Sequence, residues 1–249
     1  MKKHIPNLVT LANLFCGCIA VIFVLNDNYV LGALFVFLGI FFDFFDGLLA
    51  RKLQVQSDLG IQLDSLADMV TSGLVPGLVM CKLIGLAIGS SFIVSQADWN
   101  DTMIWLGFKI QPIVLVGLLI TLASAYRLAK FNIDEDQQTY FKGLPTPANA
   151  ILILSLPLIM EFQNSDAMNT IILNKWFLII VTLLSCYLLN GSFKLFALKF
   201  KTWDFKSNAM RYIFIILCIV LLVVLQFAAI PLIILTYIVL SLLSQKSIV

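Results

Sequence analysis

The chain has 249 residues, of which 61% are hydrophobic and 12% charged, with a mean hydropathy of +1.00. That balance excludes a soluble domain of this length and leaves a polytopic integral membrane protein. The net charge of +2 is small, so only the distribution of the charges carries information, and no nucleic-acid partner is expected.

The expected fold is all-α, a single transmembrane domain over residues 1–249 with about eight membrane-spanning helices. Met1-Lys-Lys-His runs straight into apolar sequence without a small-residue cleavage site, so no separate signal peptide is expected. Helix 1 is predicted over Ile5–Leu25, with Asn7, Thr10 and Asn13 recurring on one side. Those three residues suit interhelical hydrogen bonding or donation to a polar ligand. Helix 2 follows the Asn26-Asp27-Asn28 turn and covers Tyr29–Ala50. Helix 3 covers Gly60–Ile88, longer than the ~20 residues a span needs, and Lys82 near its end suits snorkelling to the far interface. Residues 89–109 read as a loop, with Trp99 and Trp105 as interfacial aromatics. Helix 4 is predicted over Ile110–Lys130, helix 5 over Pro147–Phe162 and helix 6 over Ile171–Asn190. After a basic link, helix 7 covers Arg211–Ala228 and helix 8 covers Ile230–Leu243, with Pro231 at a tight turn. The last two are the least certain division in the chain.

An even number of spans puts both termini on one side. That side then holds thirteen of the 16 Lys and Arg residues, including Lys2, Lys3, Arg51, Lys52 and the cluster Lys194, Lys199, Lys201, Lys206 and Arg211. The positive-inside rule makes it the cytoplasmic side. The five cysteines lie in apolar segments without metal-type clustering and read as small buried hydrophobes. His4 reads as an interfacial residue.

The densest chemistry lies in residues 43–68. Asp43 and Asp46 are three apart, and Asp64 and Asp68 are four apart, so each pair shares a helix face. The polar link Lys52–Leu59 makes the two helices antiparallel neighbours. The helical rise of about 1.5 Å per residue then sets Asp46 level with Asp64, and Asp43 level with Asp68 one turn deeper. Four anions at membrane depth call for compensation by one or two divalent cations, and all-oxygen ligands suit Mg²⁺, Mn²⁺ or Ca²⁺ better than zinc.

Asp43-x2-Asp46-Gly47-x2-Ala50-Arg51-x8-Gly60-x3-Asp64-x3-Asp68 matches, at all eight defining positions, the motif of the CDP-alcohol phosphatidyltransferases, and the chain resembles that family. The resemblance implies a substrate with two acyl chains, a pyrophosphate and a cytidine. It implies Asp43, Asp46, Asp64 and Asp68 as metal ligands for Mg²⁺ or Mn²⁺, with Asp68 also the general base. It further implies Gly47, Ala50, Arg51 and Gly60, together with Asn7 and Thr10, around CDP-diacylglycerol. The motif-bearing catalytic core would cover about 5–190, with additional C-terminal helices at about 211–243. A homodimer in the cell membrane, with its active site facing the cytoplasm, is the family expectation.

Text around the motif is similar to the phosphatidylserine synthase branch: Ser57-Asp-Leu-Gly through Val-Pro76, Ile5-Pro-Asn-Leu-Val-Thr, Arg127-Leu-Ala-Lys-Phe-Asn132 and Phe141-Lys-Gly-Leu-Pro-Thr-Pro147. That similarity implies L-serine as the acceptor. Arg127, Lys130 and Lys142 are the acceptor-binding candidates; lipid-headgroup anchoring is an equal role for the same cations. Two other readings stay open. One is the same family with glycerol phosphate or inositol phosphate as acceptor. The other is a cation-coupled membrane transporter, which also uses intramembrane carboxylates.

Overall fold

The computed structural model describes residues 4–89, 103–105, 108–133, 141–195 and 205–245. The predicted roles of Lys2, Lys3, Trp99, Lys199, Lys201 and Lys246 lie outside these residues. So do the side chains of Trp105, Lys142, Lys194, Lys206 and Arg211.

Helix α1 (Ile5–Leu25) and helix α2 (Tyr29–Leu53) form an antiparallel pair. Asn28 closes the turn between them by accepting a hydrogen bond from the Leu31 amide at 3.0 Å. Helix α3 (Asp58–Asp68) passes through a π-helical segment, Met69–Leu74, into α4 (Val75–Ala87). Pro76 accounts for the irregularity: it has no N–H for the carbonyl one turn back, and its ring crowds that carbonyl. The combined stretch Asp58–Ala87 is 30 residues long and makes one traverse. Its far end is fixed by Lys82, whose Nζ donates to the Leu25 carbonyl at 2.9 Å and pairs with Asp27 at 2.8 Å.

Where a loop was expected at 89–109, the described residues contain a short hairpin of β1 (Met103–Trp105) and β2 (Phe108–Ile110). Both are rich in the β-branched and aromatic residues that favour strands. The next traverse opens as a 3₁₀ turn, Pro112–Leu118, before α5 (Leu119–Ile133). A two-residue ladder joins β3 (Phe141–Lys142) to β4 (Lys194–Leu195), and α6 covers Thr146–Phe162.

The predicted sixth helix is α8 (Lys175–Asn190), starting four residues later than expected, and an unexpected short helix, α7 (Asp166–Ile172), precedes it at a 60° bend. Asn174 explains the break, because its Oδ1 caps α8 at the amides of Trp176 and Phe177. By length alone, Tyr212–Ser241 reads as one 30-residue apolar stretch. The Phe214 and Tyr237 rings nevertheless lie 5.7 Å apart, so the chain folds back as α9 (Phe205–Leu225) and α10 (Ala229–Gln245). The turn is held by the Gln163 side chain, which donates to the Leu225 carbonyl and accepts from the Ala228 amide, both at 2.9 Å. Counting that hairpin as two and including the shorter α6, the described residues form eight apolar helical segments. Five helical stretches are individually long and apolar enough to cross a membrane, or six with the bent pair.

The main apolar core gathers Ala20, Val24, Ala33, Met80, Leu83, Ile84 and Leu178 near the Asn26–Asn28 end. Outward-facing Leu8, Phe15, Phe41, Phe44, Val223 and Val224 are exposed, as a lipid-facing surface requires. The chain is an integral membrane protein. Cys16 and Cys81 are buried as expected, but Cys18 is exposed on the outer face, where an apolar solvent tolerates it.

Candidate active site

Helix α2 ends later and α3 begins earlier than the sequence suggests, leaving a link of residues 54–57. Arg51 and Lys52 favour the extension because cations suit the last turn of a helix. Gln54 then adopts the left-handed conformation with φ 54°, and the Ser57 hydroxyl caps α3 at the Gly60 amide, 3.2 Å away.

This short link presses the carboxylate-bearing turns together. One oxygen from each of Asp43, Asp46 and Asp64 lies within 4.8 Å of the other two. Asp43, Asp46 and Asp64 form the converging trio, while Asp68, whose charge still acts on Asp43, is held from α1. Asn13, fully buried, donates from Nδ2 to Asp68 Oδ1 at 3.3 Å. The Thr10 hydroxyl donates to Asp46 Oδ2; with a single proton, it can serve either that oxygen or the Pro6 carbonyl at 3.1 Å. The Thr71 hydroxyl of the π segment donates in turn to the Asn13 carbonyl at 3.2 Å. Gly39 makes this junction possible, because a Cβ there would come within 2.7 Å of Thr71 and 2.8 Å of Asn13.

The three carboxylates fit a divalent cation. One oxygen of each lies within 4.8 Å of the other two, and the all-oxygen donor set is the kind that hard divalent cations take. Asp64 Oδ1 is buried without a hydrogen-bond partner among the described residues, a costly arrangement unless another group binds there.

Beside them opens a cavity of about 310 Å³, lined by Asn7, Thr10, Asp46, Gly47, Ala50, Arg51, Gly60 and Asp64 among others. The residues predicted around CDP-diacylglycerol are thus brought together in one place. A Cβ at Gly47 would meet no protein atom within 4 Å, so packing inside the chain does not demand glycine there. At Gly60 a Cβ would lie 3.3 Å from both Asn7 and Ser57 and narrow the cavity wall.

Arg127 and Lys130 do not line this cavity. They border a smaller neighbour between α5 and the end of α8. Arg127 is nine-tenths buried, and its charge acts on Asp68. The last turn of α5 is tied to α3 by Asn132, which donates to Ser65 Oγ at 2.9 Å. Sequence reasoning placed Asn13 on the right helix face but not in the site; its signal was the 7, 10, 13 spacing.

Apolar traverses enclosing an oxygen-rich, carboxylate-lined cavity at one end define a helical integral membrane protein with a divalent-cation type of site. The family model for CDP-alcohol phosphatidyltransferase matches residues 3–188, and the chain belongs to that family. The chain is 34% identical over 154 residues to the CDP-diacylglycerol–serine O-phosphatidyltransferase of Bacillus subtilis (strain 168), covering 62% of this chain and 75% of that protein. It is 27% identical over 217 residues to the enzyme of the same name from Helicobacter pylori (strain ATCC 700392 / 26695), covering 86% and 81%. The namesake from Methanocaldococcus jannaschii is 29% identical over 168 residues, covering 68% and 66%.

Proposed function

We propose that the chain transfers the phosphatidyl group of CDP-diacylglycerol to the hydroxyl of L-serine, giving phosphatidylserine and CMP. The convergence of Asp43, Asp46 and Asp64 beside the large cavity carries this reading, and the names of the relatives support serine as acceptor. Asp43, Asp46 and Asp64 would hold Mg²⁺ or Mn²⁺, which when bound neutralises pyrophosphate charge and stabilises departing CMP.

The chain's own groups divide the remaining work. Arg51, exposed at the cavity mouth, offers a planar fork to a phosphate. Gly47 and Gly60 let the nucleotide approach the helix surfaces. Thr10 orients Asp46, and Asn13 orients Asp68. Asp68 stands outside the converging trio, which suits it to accept the serine hydroxyl proton during attack on the β-phosphorus. The acyl chains lie along the apolar outer faces of α1 and α2. The active-site end and both termini face the cytoplasm, where basic residues concentrate and where CMP and serine are soluble. The enzyme works as a homodimer.

The experiment is CMP release from CDP-diacylglycerol by purified protein, with serine, glycerol phosphate or inositol phosphate as acceptor, and with phosphatidylserine measured directly. Serine is expected to be the preferred acceptor. Preference for a phosphorylated acceptor would replace serine within the same family, and absence of CMP release with every acceptor would favour transport.

A further inference from the structure

The π segment Met69–Leu74 begins at the residue after Asp68. The Val75 amide donates to the Val70 carbonyl five residues back, so this turn holds one residue more than an α turn. One residue is about 100° of helix rotation. The extra residue lets one continuous stretch serve two faces. Before it, Asp64 joins the carboxylate trio and Asp68 meets Asn13. After it, Val75, Val79, Met80, Leu83 and Ile84 are fully buried in the apolar core.

Two hydroxyls pin this segment. On one side the Thr121 hydroxyl of α5 donates to the Gly73 carbonyl at 3.1 Å. On the other, the Thr71 hydroxyl donates to the Asn13 carbonyl of α1 at 3.2 Å. The second pin closes a ring, because the Asn13 Nδ2 donates to Asp68, three residues before Thr71, at 3.3 Å. Thr71 and Asn13 are both fully buried. Two glycines crowd Thr71: a Cβ at Gly17 of α1 would overlap its hydroxyl, and one at Gly39 of α2 would come within 2.7 Å of its methyl group. The side chain is therefore seated between α1 and α2. Asn13 Oδ1 has no partner among the described residues, so no second hydrogen bond orients the amide. Its aim at Asp68 depends on where α1 is held, and Thr71 holds α1 at that residue.

We propose that Thr71 is a positioning residue for phosphatidyl transfer. By holding the Asn13 carbonyl it sets the reach of Asn13 Nδ2 and so aims Asp68 at the acceptor hydroxyl. The inference rests on the reading of Asp68 as the base and deepens it. Thr71 lies outside the aspartate motif and lines neither the large cavity nor the trio. Its hydroxyl therefore acts on the rate of the chemical step and not on nucleotide or metal binding. The Thr121 hydrogen bond holds the same segment without reaching Asn13 or Asp68, so its role is structural.

The test compares the full-length wild type with Thr71→Val, Thr71→Ser and Thr121→Val in lipid nanodiscs, following phosphatidylserine formation, Mn²⁺ binding and melting temperature. Thr71→Val keeps the shape and removes the donor. It is expected to lower kcat by about tenfold, with the CDP-diacylglycerol KM and the Mn²⁺ affinity nearly unchanged. Thr71→Ser retains the hydroxyl and is expected to keep most of kcat. Thr121→Val loses a comparable buried hydrogen bond and is expected to lower the melting temperature while sparing kcat. In an Asn13→Ala background, Thr71→Val should add no further loss of kcat, because the two residues act in series. An unchanged kcat in Thr71→Val would overturn the proposal. So would equal falls in Thr71→Val and Thr121→Val, or losses that add to that of Asn13→Ala, since either marks Thr71 as packing alone. If Asp68→Asn leaves kcat intact, the parent reading fails first, and that result is distinct because it does not depend on any Thr71 variant.

Discussion

Around the Asn26–Asn28 turn, Val24, Ala33, Leu83 and Ile84 close into apolar packing, and the half-buried Lys82 meets Asp27 and a backbone carbonyl. Around the 54–57 link the interior is built from Thr10, Asn13, Asp46, Asp68, Thr71, Ser72, Ser124, Arg127 and Asn149, all at or below 9% exposure. There Ser72, Ser124 and both amide atoms of Asn149 have no partner among the described residues, and the buried guanidinium of Arg127 acts on Asp68. The first end leaves Asn169 Oδ1 without a partner among the described residues but gathers no carboxylate cluster. The second leaves charge and hydrogen-bonding capacity unmet, and such local inconsistency marks a binding site rather than a scaffold.

The sharpest way to break the contrast is at the trio. Asp43→Asn, Asp46→Asn and Asp64→Asn are each expected to reduce CMP release to near background in an endpoint assay. In excess chelator the same variants should melt no lower than the wild type, because each removes one of several mutually repelling anions. Asp68→Asn should be next in effect. It is expected to keep CDP-diacylglycerol binding while kcat falls by about 10²–10⁴-fold, the range for loss of a general base. If that variant instead loses metal binding and recovers at high metal, Asp68 is a ligand.

The contrast also shows what was legible before the structure. The motif aspartates, the glycines and Arg51 were readable because a site on two adjacent helices keeps its residues within a short stretch. Thr10 and Asn13 were half-readable: helical spacing set them on one face, but only packing shows that the face meets α2 and the π segment. The α7–α8 break was hidden because Asn174 acts through a side-chain cap; the α9–α10 division was expected, but its turn falls at Gln226–Ala228, held by Gln163, and not at Pro231, which lies in the first turn of α10. Helix ends moved for local reasons, as at Gln54 and Ser57. The small cavity between α5 and α8 was least legible, since Arg127 and Asn190 meet only through tertiary packing of α5 on α8.

Two weaker changes refine the comparison. Thr10→Val removes the donor to Asp46 without altering shape and is expected to lower kcat/KM by roughly tenfold, well short of the aspartate variants. Lys82→Met cuts the pair at the opposite end. Asp27 is 65% exposed, so the stability change should stay within about 1 kcal/mol in a denaturation series, with CMP release per folded molecule unchanged. A large activity loss in Lys82→Met would mean that the two ends are coupled.

The central claim is that Asp43, Asp46 and Asp64 form a divalent-cation site on which phosphatidyl transfer depends. The most direct measurement strips the purified protein with chelator, then titrates Mn²⁺ back while following bound ion by electron paramagnetic resonance and CMP release in the same samples. Binding and activity should return together in the wild type, and both should be lost or strongly weakened in Asp64→Asn. Full CMP release by the stripped wild type in excess chelator would contradict the account.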